Sequence, residues 1–241
     1  MDAPKLSFEE SCTLFGISLA DAQRLVRDRL PDYRDLRIGI SEDTGDLIIT
    51  FQTETEDQRH FNRTLKLFKK EFKDYILTPP NTPLERVFFR LMEERKYHVS
   101  TAESCTGGLL AARIINVSGS SAIIEEAFIT YSEDAKMKIL GVDENILKQY
   151  GVVSVEFARE MARCLKNLTK CELNVAITGM AGPTGGTEAV PVGTVCIGIA
   201  YLDQLLTFQE RFSGDRTAVR NKAAAYALAR SILLLRNGGE E

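Results

Sequence analysis

The chain has 241 residues, a length that fits two small domains or one large one. Its 30 Lys and Arg residues against 34 Asp and Glu residues give a net charge of −4, and no basic run is present. Because phosphate binding depends on concentrated Lys and Arg, we do not expect a nucleic-acid partner. No apolar run approaches the ~18 residues of a membrane helix, and residues 1–11 lack the basic and apolar regions of a secretory signal. These features predict a cytoplasmic protein that is neither secreted nor inserted into a membrane.

Cysteine and histidine usage argues against disulfide bonds and against a metal site. The five cysteines are odd in number and include no C-x-x-C pair, and the chain has two histidines. This pattern fits neither a disulfide framework nor a structural zinc site. We therefore predict reduced thiols and no metal ion or other cofactor, and we expect proton transfer to use a residue other than histidine.

A proline cluster divides the chain. Three prolines fall within Leu77–Pro83, which predicts an extended linker between a domain of residues 1–80 and a domain of residues 83–238. In the first domain we predict a helix from the Ser18 cap to Leu30, a hairpin of Leu36–Ile40 and Asp46–Phe51, and a helix over Gln58–Tyr75. The lysines of the last helix are interpreted as a solvated face rather than an RNA-binding face, because residues 1–80 hold 12 basic and 15 acidic side chains.

The second domain alternates helical and strand patterns, which predicts an α/β sheet covered by helices on both faces. Predicted helices cover Pro83–Lys96, Leu109–Asn116, Ser132–Ile139, Glu144–Tyr150, Val155–Leu168 and Arg216–Arg236. Predicted strands cover Val99–Ala102, Ala127–Tyr131, Leu173–Ile177, Gly193–Tyr201 and Gln204–Phe212. Ligands of open α/β sheets bind at the carboxyl ends of strands, so the polar junctions after these strands are candidate sites.

The first junction, Thr101–Gly108, leads from a strand through a tight turn into a helix. Ser104, Cys105 and Thr106 would offer a hydroxyl or thiol beside unpaired backbone N–H groups, which can stabilise an oxyanion. The alternative is an ordinary helix entry in which Ser104 or Thr106 caps the backbone. Neither the G-x-S-x-G nor the S-x-x-K signature is present here.

The second junction, Tyr131–Lys136, places a lysine in the first turn of a predicted helix. A cation there opposes the helix dipole, and partial burial would lower the pKa of Lys136 further. A neutral lysine can act as the general base for a serine when histidine is not available. The alternative is a surface lysine paired with Glu133 or Asp134.

The third junction, Ile177–Gly186, contains four glycines that allow a ligand close to the backbone. It lacks the G-K-[ST] of a Walker loop, so hydrolysis of nucleoside triphosphates is not expected. A glycine-rich loop without function is the alternative.

A fourth segment, Phe212–Arg220, begins the last helix. Its two arginines, Arg216 and Arg220, could bind a phosphate bidentately. The alternative is an ordinary helix cap with surface arginines.

Taken together, these segments resemble the CinA C-terminal family, the nicotinamide-nucleotide amidases. Six strings carry the resemblance over residues 83–236: Ala102–Gly108, Tyr131–Lys136, Gly151–Ser154, Thr178–Pro183, Pro191–Val195 and Phe212–Arg216. The resemblance implies a three-layer α/β/α amidohydrolase that converts nicotinamide mononucleotide to nicotinate mononucleotide and ammonia.

The resemblance also implies roles for residues. Ser104 corresponds to the nucleophile and Lys136 to its base, while Tyr131 and Thr178 assist in positioning or proton transfer. The phosphate-binding arginine of the family maps to Arg216, with Arg220 close enough to compete. Further substrate-binding positions are Cys105, Thr106, Gly107, Gly108, Gly179 and Gly182.

This chain departs from the family at a few positions. Val190 stands before Pro191 where a lysine is common, and Val152 replaces the alanine of the usual GAVS string. Residues 1–80 resemble the small α+β, KH-like domain of long CinA proteins but lack Gly-x-x-Gly, so RNA binding is not implied. We expect a homodimer. The alternatives that remain are an amidase for another carboxamide and a regulatory protein that binds pyridine nucleotides without turnover.

Overall fold

The computed structural model describes residues 7–29, 36–54 and 58–238. The chain divides into two compact units, Met1–Leu84 and Glu85–Glu241. The predicted end of the first helix, at Leu30, lies outside the described residues. None of the helices in the described part of the chain combines the length and the hydrophobicity needed to span a bilayer.

The N-terminal unit contains one antiparallel sheet and two helices. Its elements are β1 (Ser7–Leu14), α1 (Leu19–Arg29), β2 (Leu36–Asp43), β3 (Asp46–Glu54) and α2 (Gln58–Glu71). The strand order is β1-β3-β2, and the predicted hairpin corresponds to β2 and β3. The turn of this hairpin places Thr44 and Gly45 at positive φ, in the left-handed region. Residues with a Cβ atom are disfavoured there, whereas glycine is not. Helix α2 ends at Glu71, four residues before the predicted end.

Strand β1 was not predicted. Phe8, Cys12 and Leu14 alternate toward the core of the unit, as a half-buried strand requires. The remaining position of this alternation, between Phe8 and Cys12, is Glu10. Its carboxylate lies 3.7 Å from the Lys69 ammonium on α2. Because the charged Glu10 interrupts the apolar alternation, the sequence pattern does not indicate a strand here. The structure shows that Lys69 of α2 is the ionic partner of Glu10.

The C-terminal unit is a five-stranded mixed sheet with helices on both faces. Its strands are β4 (Val99–Glu103), β5 (Ile124–Ile129), β6 (Leu173–Gly179), β7 (Thr194–Tyr201) and β8 (Gln204–Arg211). Its helices are α3 (Leu84–Arg95), α4 (Leu109–Ile115), α5 (Glu133–Ala135), α6 (Glu144–Tyr150), α7 (Val155–Thr169) and α8 (Arg216–Asn237). The strand order is β5-β4-β6-β7-β8, in which β4 runs parallel to both of its neighbours and the other pairs are antiparallel.

Small residues let the helices approach this sheet closely. Helix α7 packs across β4, β6 and β7, whose Ala102, Ala176 and Ala200 form a buried cluster with the helix. On β7, a Cβ atom at Gly198 would lie 2.1 Å from the Ala158 carbonyl oxygen of α7, so this position requires glycine. Helices α4 and α8 pack against each other and against the same sheet. The predicted α/β fold with helices on both faces is confirmed.

Two predicted boundaries around the second junction are wrong. Strand β5 covers Ile124–Ile129 rather than Ala127–Tyr131, and the predicted helix over Ser132–Ile139 is divided. Ser132 caps the short α5, because its hydroxyl accepts from the Ala135 N–H at 3.1 Å. A π-helical turn, Lys136–Leu140, follows directly. Turns of this kind widen the helix locally and are frequent at functional sites.

Candidate active site

The structure brings Ser104 and Lys136 into contact. Ser104 follows β4, and its backbone N–H donates to the Ile177 carbonyl of β6 at 2.9 Å, which anchors the start of the turn. Lys136 is the first residue of the π-helical turn, and its Nζ lies 2.9 Å from Ser104 Oγ. A strand end and a helical turn that are 32 positions apart in sequence therefore form a hydrogen-bonded pair.

The surroundings of the Lys136 amine favour its neutral form. The side chain is 1% exposed, and burial lowers its pKa from 10.5 to about 8, against the opposing effects of Cys105 and Glu133. Nζ also lies 2.8 Å from the Thr130 carbonyl oxygen and 3.0 Å from that of Tyr131. A neutral amine can donate its two N–H bonds to these carbonyls, which leaves its lone pair for the Ser104 proton.

The alternative of a surface lysine paired with Glu133 or Asp134 is wrong. The Lys136 side chain is buried, and its hydrogen bonds go to Ser104 and to backbone carbonyls. Lys136 therefore lies in the interior, where its amine pays a desolvation free energy that an exposed lysine would not.

Cys105, the neighbouring candidate nucleophile, is held as a thiol. Its side chain is 5% exposed, and burial raises the pKa of its thiol from 9.0 to about 11. The backbone N–H groups of Cys105 and Thr106 favour the thiolate, but burial is the larger effect. Because the thiolate is the nucleophilic form of cysteine, Ser104 is the better candidate.

Glu103 holds the start of α4 and was not identified from the sequence. Its carboxylate is 1% exposed and accepts hydrogen bonds from the N–H groups of Gly108, Leu110 and Ala111, at 3.0, 3.1 and 2.9 Å. The alternative in which Ser104 or Thr106 caps this helix is therefore wrong. An acidic residue six positions before the helix start at Leu109 was the available signal, although a cap is ordinarily sought within three.

The backbone of the glycine pair is used within the protein. The Gly107 N–H donates to the Ser104 carbonyl at 3.1 Å, and the Gly108 N–H donates to Glu103. Both glycines have positive φ values, +61° and +93°, which an L side chain rarely adopts. Their visible role is thus to shape the turn, rather than to present N–H groups to a substrate.

Arg216 connects two of the predicted site segments. Its Nη1 donates to the Gly182 carbonyl at 2.7 Å, and its Nη2 donates to the Tyr131 hydroxyl at 3.1 Å. Arg216 also lines a cleft of about 420 Å³, together with Ala181, Pro183, Val192, Asp215 and Thr217. Tyr131 is 61% exposed, so this cluster opens to solvent.

Arg220, the second candidate for phosphate binding, is occupied by the nucleophile turn. Its Nε donates to the Cys105 carbonyl at 3.0 Å, and its Nη2 donates to the Thr106 carbonyl at 2.8 Å. The structure therefore separates the two arginines, because Arg216 faces the open cleft while Arg220 holds the backbone after Ser104.

Thr178 and the loop glycines are used for packing. The Thr178 side chain is 1% exposed, and its hydroxyl donates to the Val152 carbonyl at 2.8 Å rather than to Ser104 or Lys136. A Cβ atom at Gly179 would lie 2.8 Å from the Thr194 carbonyl oxygen, and one at Gly182 would lie 2.4 Å from a Val192 methyl carbon. The loop that contains both glycines packs directly on the start of β7.

Comparison with known proteins agrees with this architecture. The protein-family model described as the CinA C-terminal domain matches residues 81–235 of this chain. The chain belongs to the CinA C-terminal domain family. A CinA-like protein from Thermotoga maritima is 32% identical over 226 residues, which are 93% of this chain and 55% of that protein. The chain thus spans about half the length of the curated relatives that it matches.

Two solved structures resemble the CinA domain. The competence damage-inducible protein A from Klebsiella pneumoniae is 33% identical, with a TM-score of 0.62 over 64% of this chain and 95% of that one. The competence/damage inducible protein CihA from Agrobacterium tumefaciens is 35% identical, with a TM-score of 0.60 over 64% of this chain and 95% of that one. The resemblance stated from the sequence is therefore confirmed at the level of family and fold.

Within the described residues of the CinA chain, no group of three or more His, Cys, Asp or Glu side chains is arranged to hold a metal ion. The candidate chemistry of the site is that of Ser104, Lys136 and the backbone around them.

Glu103→Gln should destabilise the CinA domain. The amide would turn an NH2 group toward backbone N–H groups that now face carboxylate oxygens, leaving a buried donor unpaired at a cost of about 1–3 kcal/mol. Urea unfolding followed by circular dichroism measures this loss. Exposed Glu94 of α3 supplies the control, since Glu94→Gln should change the free energy of unfolding by less than about 0.5 kcal/mol. Equal stability of the two variants would contradict the capping role.

Proposed function

We propose that this chain is an amidohydrolase that converts nicotinamide mononucleotide to nicotinate mononucleotide and ammonia, with Ser104 as nucleophile and Lys136 as general base. The observation that carries the proposal is the 2.9 Å contact between Ser104 Oγ and the buried Lys136 amine. Membership of the CinA family supports the same reaction through the resemblance to nicotinamide-nucleotide amidases.

The reaction proceeds by acyl transfer in two steps. Lys136 takes the Ser104 proton as Oγ attacks the carboxamide carbon, and the protonated lysine then returns this proton to the departing amide nitrogen. The C–N bond breaks, ammonia leaves, and a nicotinoyl ester remains on Ser104. Water, activated by the neutral Lys136, hydrolyses the ester and releases nicotinate mononucleotide.

The Arg216 cleft supports recognition of the phosphate. The exposed guanidinium of Arg216 lies at the start of the 22-residue α8, whose dipole favours anions. The Asp215 carboxylate caps this helix by accepting from the Ala218 N–H, so phosphate binding here depends on the guanidinium. Arginine also donates bidentately to phosphate oxygens. Tyr131 connects this cleft with the Ser104 site, because its hydroxyl accepts from Arg216 and its carbonyl accepts from Lys136. We therefore propose that the phosphate binds at Arg216 while the carboxamide lies at Ser104.

A regulatory protein without turnover is the weaker alternative. A buried lysine lowers stability through desolvation, and a module that only binds nucleotides gains nothing from such a residue beside a serine. The intact Ser104–Lys136 contact therefore favours an enzyme.

Ammonia release from nicotinamide mononucleotide, measured with and without a chelator, tests this function. We expect release in both conditions, and we expect Arg216→Ala to raise KM for the mononucleotide about 10- to 100-fold, since losing a charge-assisted bond costs roughly 1.5–3 kcal/mol. The same variant should leave KM for nicotinamide riboside, which lacks the phosphate, nearly unchanged. Arg90→Ala, at an exposed arginine of α3, is the control.

Three outcomes separate the alternatives. Binding of the mononucleotide without ammonia would contradict the enzyme and favour the regulatory protein. Ammonia from another carboxamide alone would retain the amidase and change its substrate. Equal KM changes for the mononucleotide and the riboside would contradict the role of Arg216.

A further inference from the structure

The backbone donors of the nucleophile turn can be accounted for one by one. The N–H of Ser104 donates to Ile177, that of Gly107 donates to Ser104, and that of Gly108 donates to Glu103. The Leu109 N–H donates to the Thr106 carbonyl at 3.4 Å. Within the described residues, the N–H groups of Cys105 and Thr106 donate to no oxygen or nitrogen acceptor. Since buried backbone donors are almost always paired, two adjacent unpaired N–H groups beside Ser104 point to a ligand.

Arg220 fixes the direction of the Thr106 donor. It binds the carbonyl oxygens of Cys105 and Thr106 with two N–H groups of one rigid guanidinium. In a trans peptide, the C=O of one residue and the N–H of the next point in opposite directions. A guanidinium on the Cys105 carbonyl therefore turns the Thr106 N–H away from Arg220. Its positive charge also polarises this peptide bond, which makes the N–H a stronger donor.

The two donors belong to the two residues that directly follow Ser104. Both residues are buried, at 5% and 0% exposed, and both N–H groups favour the thiolate form of Cys105 over its thiol. A neutral thiol is a weak acceptor and does not satisfy them. Gly107 leaves room for the guanidinium, because a Cβ atom at this position would lie 3.3 Å from Arg220 Nη2. The turn and the guanidinium are thus fitted to each other.

We propose that the N–H groups of Cys105 and Thr106 form the oxyanion hole for Ser104, and that Arg220 is the positioning residue that holds this hole open. This inference rests on the proposed amidase function. The inference gives the two arginines of α8 different roles. Arg216 binds the substrate phosphate, and Arg220 binds the backbone carbonyls of Cys105 and Thr106. The hole acts on the tetrahedral intermediate, whose oxyanion forms as Ser104 Oγ bonds to the carboxamide carbon.

Arg220→Ala tests the inference through a separation of kcat from KM. Loss of an oriented oxyanion donor lowers kcat about 10²- to 10³-fold, and KM should stay within about threefold because the ground-state substrate does not use the hole. Arg220→Lys should recover little, since one ammonium cannot replace a fork that binds two carbonyls. Methylguanidine added to Arg220→Ala should restore kcat at least about tenfold, because it supplies the missing fork.

Arg230→Ala provides the matched control on the same helix. Arg230 packs over the Phe208 and Tyr226 rings, and its loss should leave kcat unchanged. If Arg220→Ala raises KM for the mononucleotide but not for the riboside, Arg220 binds phosphate and the inference is overturned. It is also overturned if kcat falls only in proportion to a loss of folded protein and methylguanidine restores nothing.

A fluorophosphonate probe separates this inference from the proposed function. Ser104 Oγ forms a bond to phosphorus, the P–F bond breaks, fluoride leaves, and Lys136 takes the serine proton, while the phosphoryl oxygen occupies the hole. Labelling of Ser104, followed by mass spectrometry, should slow about 10²-fold or more in Arg220→Ala and not in Arg230→Ala. A wild type that releases no ammonia but shows this difference would end the amidase proposal and retain the hole. Equal labelling of the variants, or a wild-type Ser104 that resists the probe, would overturn the hole.

Discussion

Ser104→Ala should lower kcat for ammonia release by about 10⁴-fold or more, because the variant has no atom to form the acyl ester. The side chain loses one oxygen, and the Lys136 amine keeps its bonds to the carbonyls of Thr130 and Tyr131, so the fold should be retained. Ammonia assays and circular dichroism measure the two effects. In the wild type, acid quenching during turnover should trap a nicotinoyl adduct on Ser104, detectable by mass spectrometry.

Ser118→Ala, at an exposed serine after α4, is the control and should retain full activity. Iodoacetamide should leave wild-type activity intact near neutral pH, because burial raises the pKa of the Cys105 thiol to about 11. Undiminished turnover by Ser104→Ala would contradict the serine mechanism, and inactivation by alkylation of Cys105 would transfer the role to the thiol.

The activity should rise with pH and level off above about pH 8, because the neutral form of Lys136 is the base and burial lowers its pKa to about 8. Lys136→Met should lower kcat/KM at least about 10³-fold and remove this pH dependence from the residual rate. Lys136→Arg should be nearly as damaging, since a guanidinium stays protonated near neutral pH. An unchanged pH profile in these variants would exclude Lys136 as the base.

The same pKa predicts how stability depends on pH. Between about pH 8 and the ordinary lysine pKa of about 10.4, the unfolded chain binds a proton that folded Lys136 does not. The contribution of Lys136 to stability therefore increases with pH across this window, and below it the buried charge is destabilising. Relative to Lys136→Met, the wild type should gain about 2–3 kcal/mol in free energy of unfolding between pH 7 and pH 10. Urea unfolding of both proteins measures the difference, and a difference independent of pH would contradict the shifted pKa.

Prediction from the sequence succeeded where the signal was local or carried by motifs. The strands and helices of the C-terminal unit follow apolar periodicities of two and of 3.6 residues, which one segment displays by itself. The nucleophile turn and Lys136 were candidates from their local patterns, and the resemblance to the CinA family then selected Ser104 and Lys136 over the structural alternatives. Prediction failed at β1, where Glu10 occupies a core-facing position and is matched by Lys69 of a distant helix.

The roles of Glu103, Arg216 and Arg220 illustrate a second limit. From the sequence, Arg216 was the preferred candidate for phosphate and Arg220 a competing one, and Glu103 was one more polar residue after a strand. Arg220 binds carbonyls 114 and 115 positions earlier in the chain, so no local pattern could reveal its partner. The hydrogen-bond partners of these polar side chains distinguish their roles, and those partners depend on how α8 packs beside the nucleophile turn.

The sequence by itself determined the α/β class, the family, and the pair of side chains on which the proposed chemistry depends. Only the tertiary structure decided that Lys136 is buried against Ser104 and that Glu103 occupies the start of α4. It also decided that the N–H groups of Cys105 and Thr106 have no oxygen or nitrogen acceptor in the part of the chain that the structure describes. The reason is physical: periodicity specifies which face of an element is apolar, whereas the pKa of a lysine and the partner of a backbone donor depend on groups brought together from distant positions.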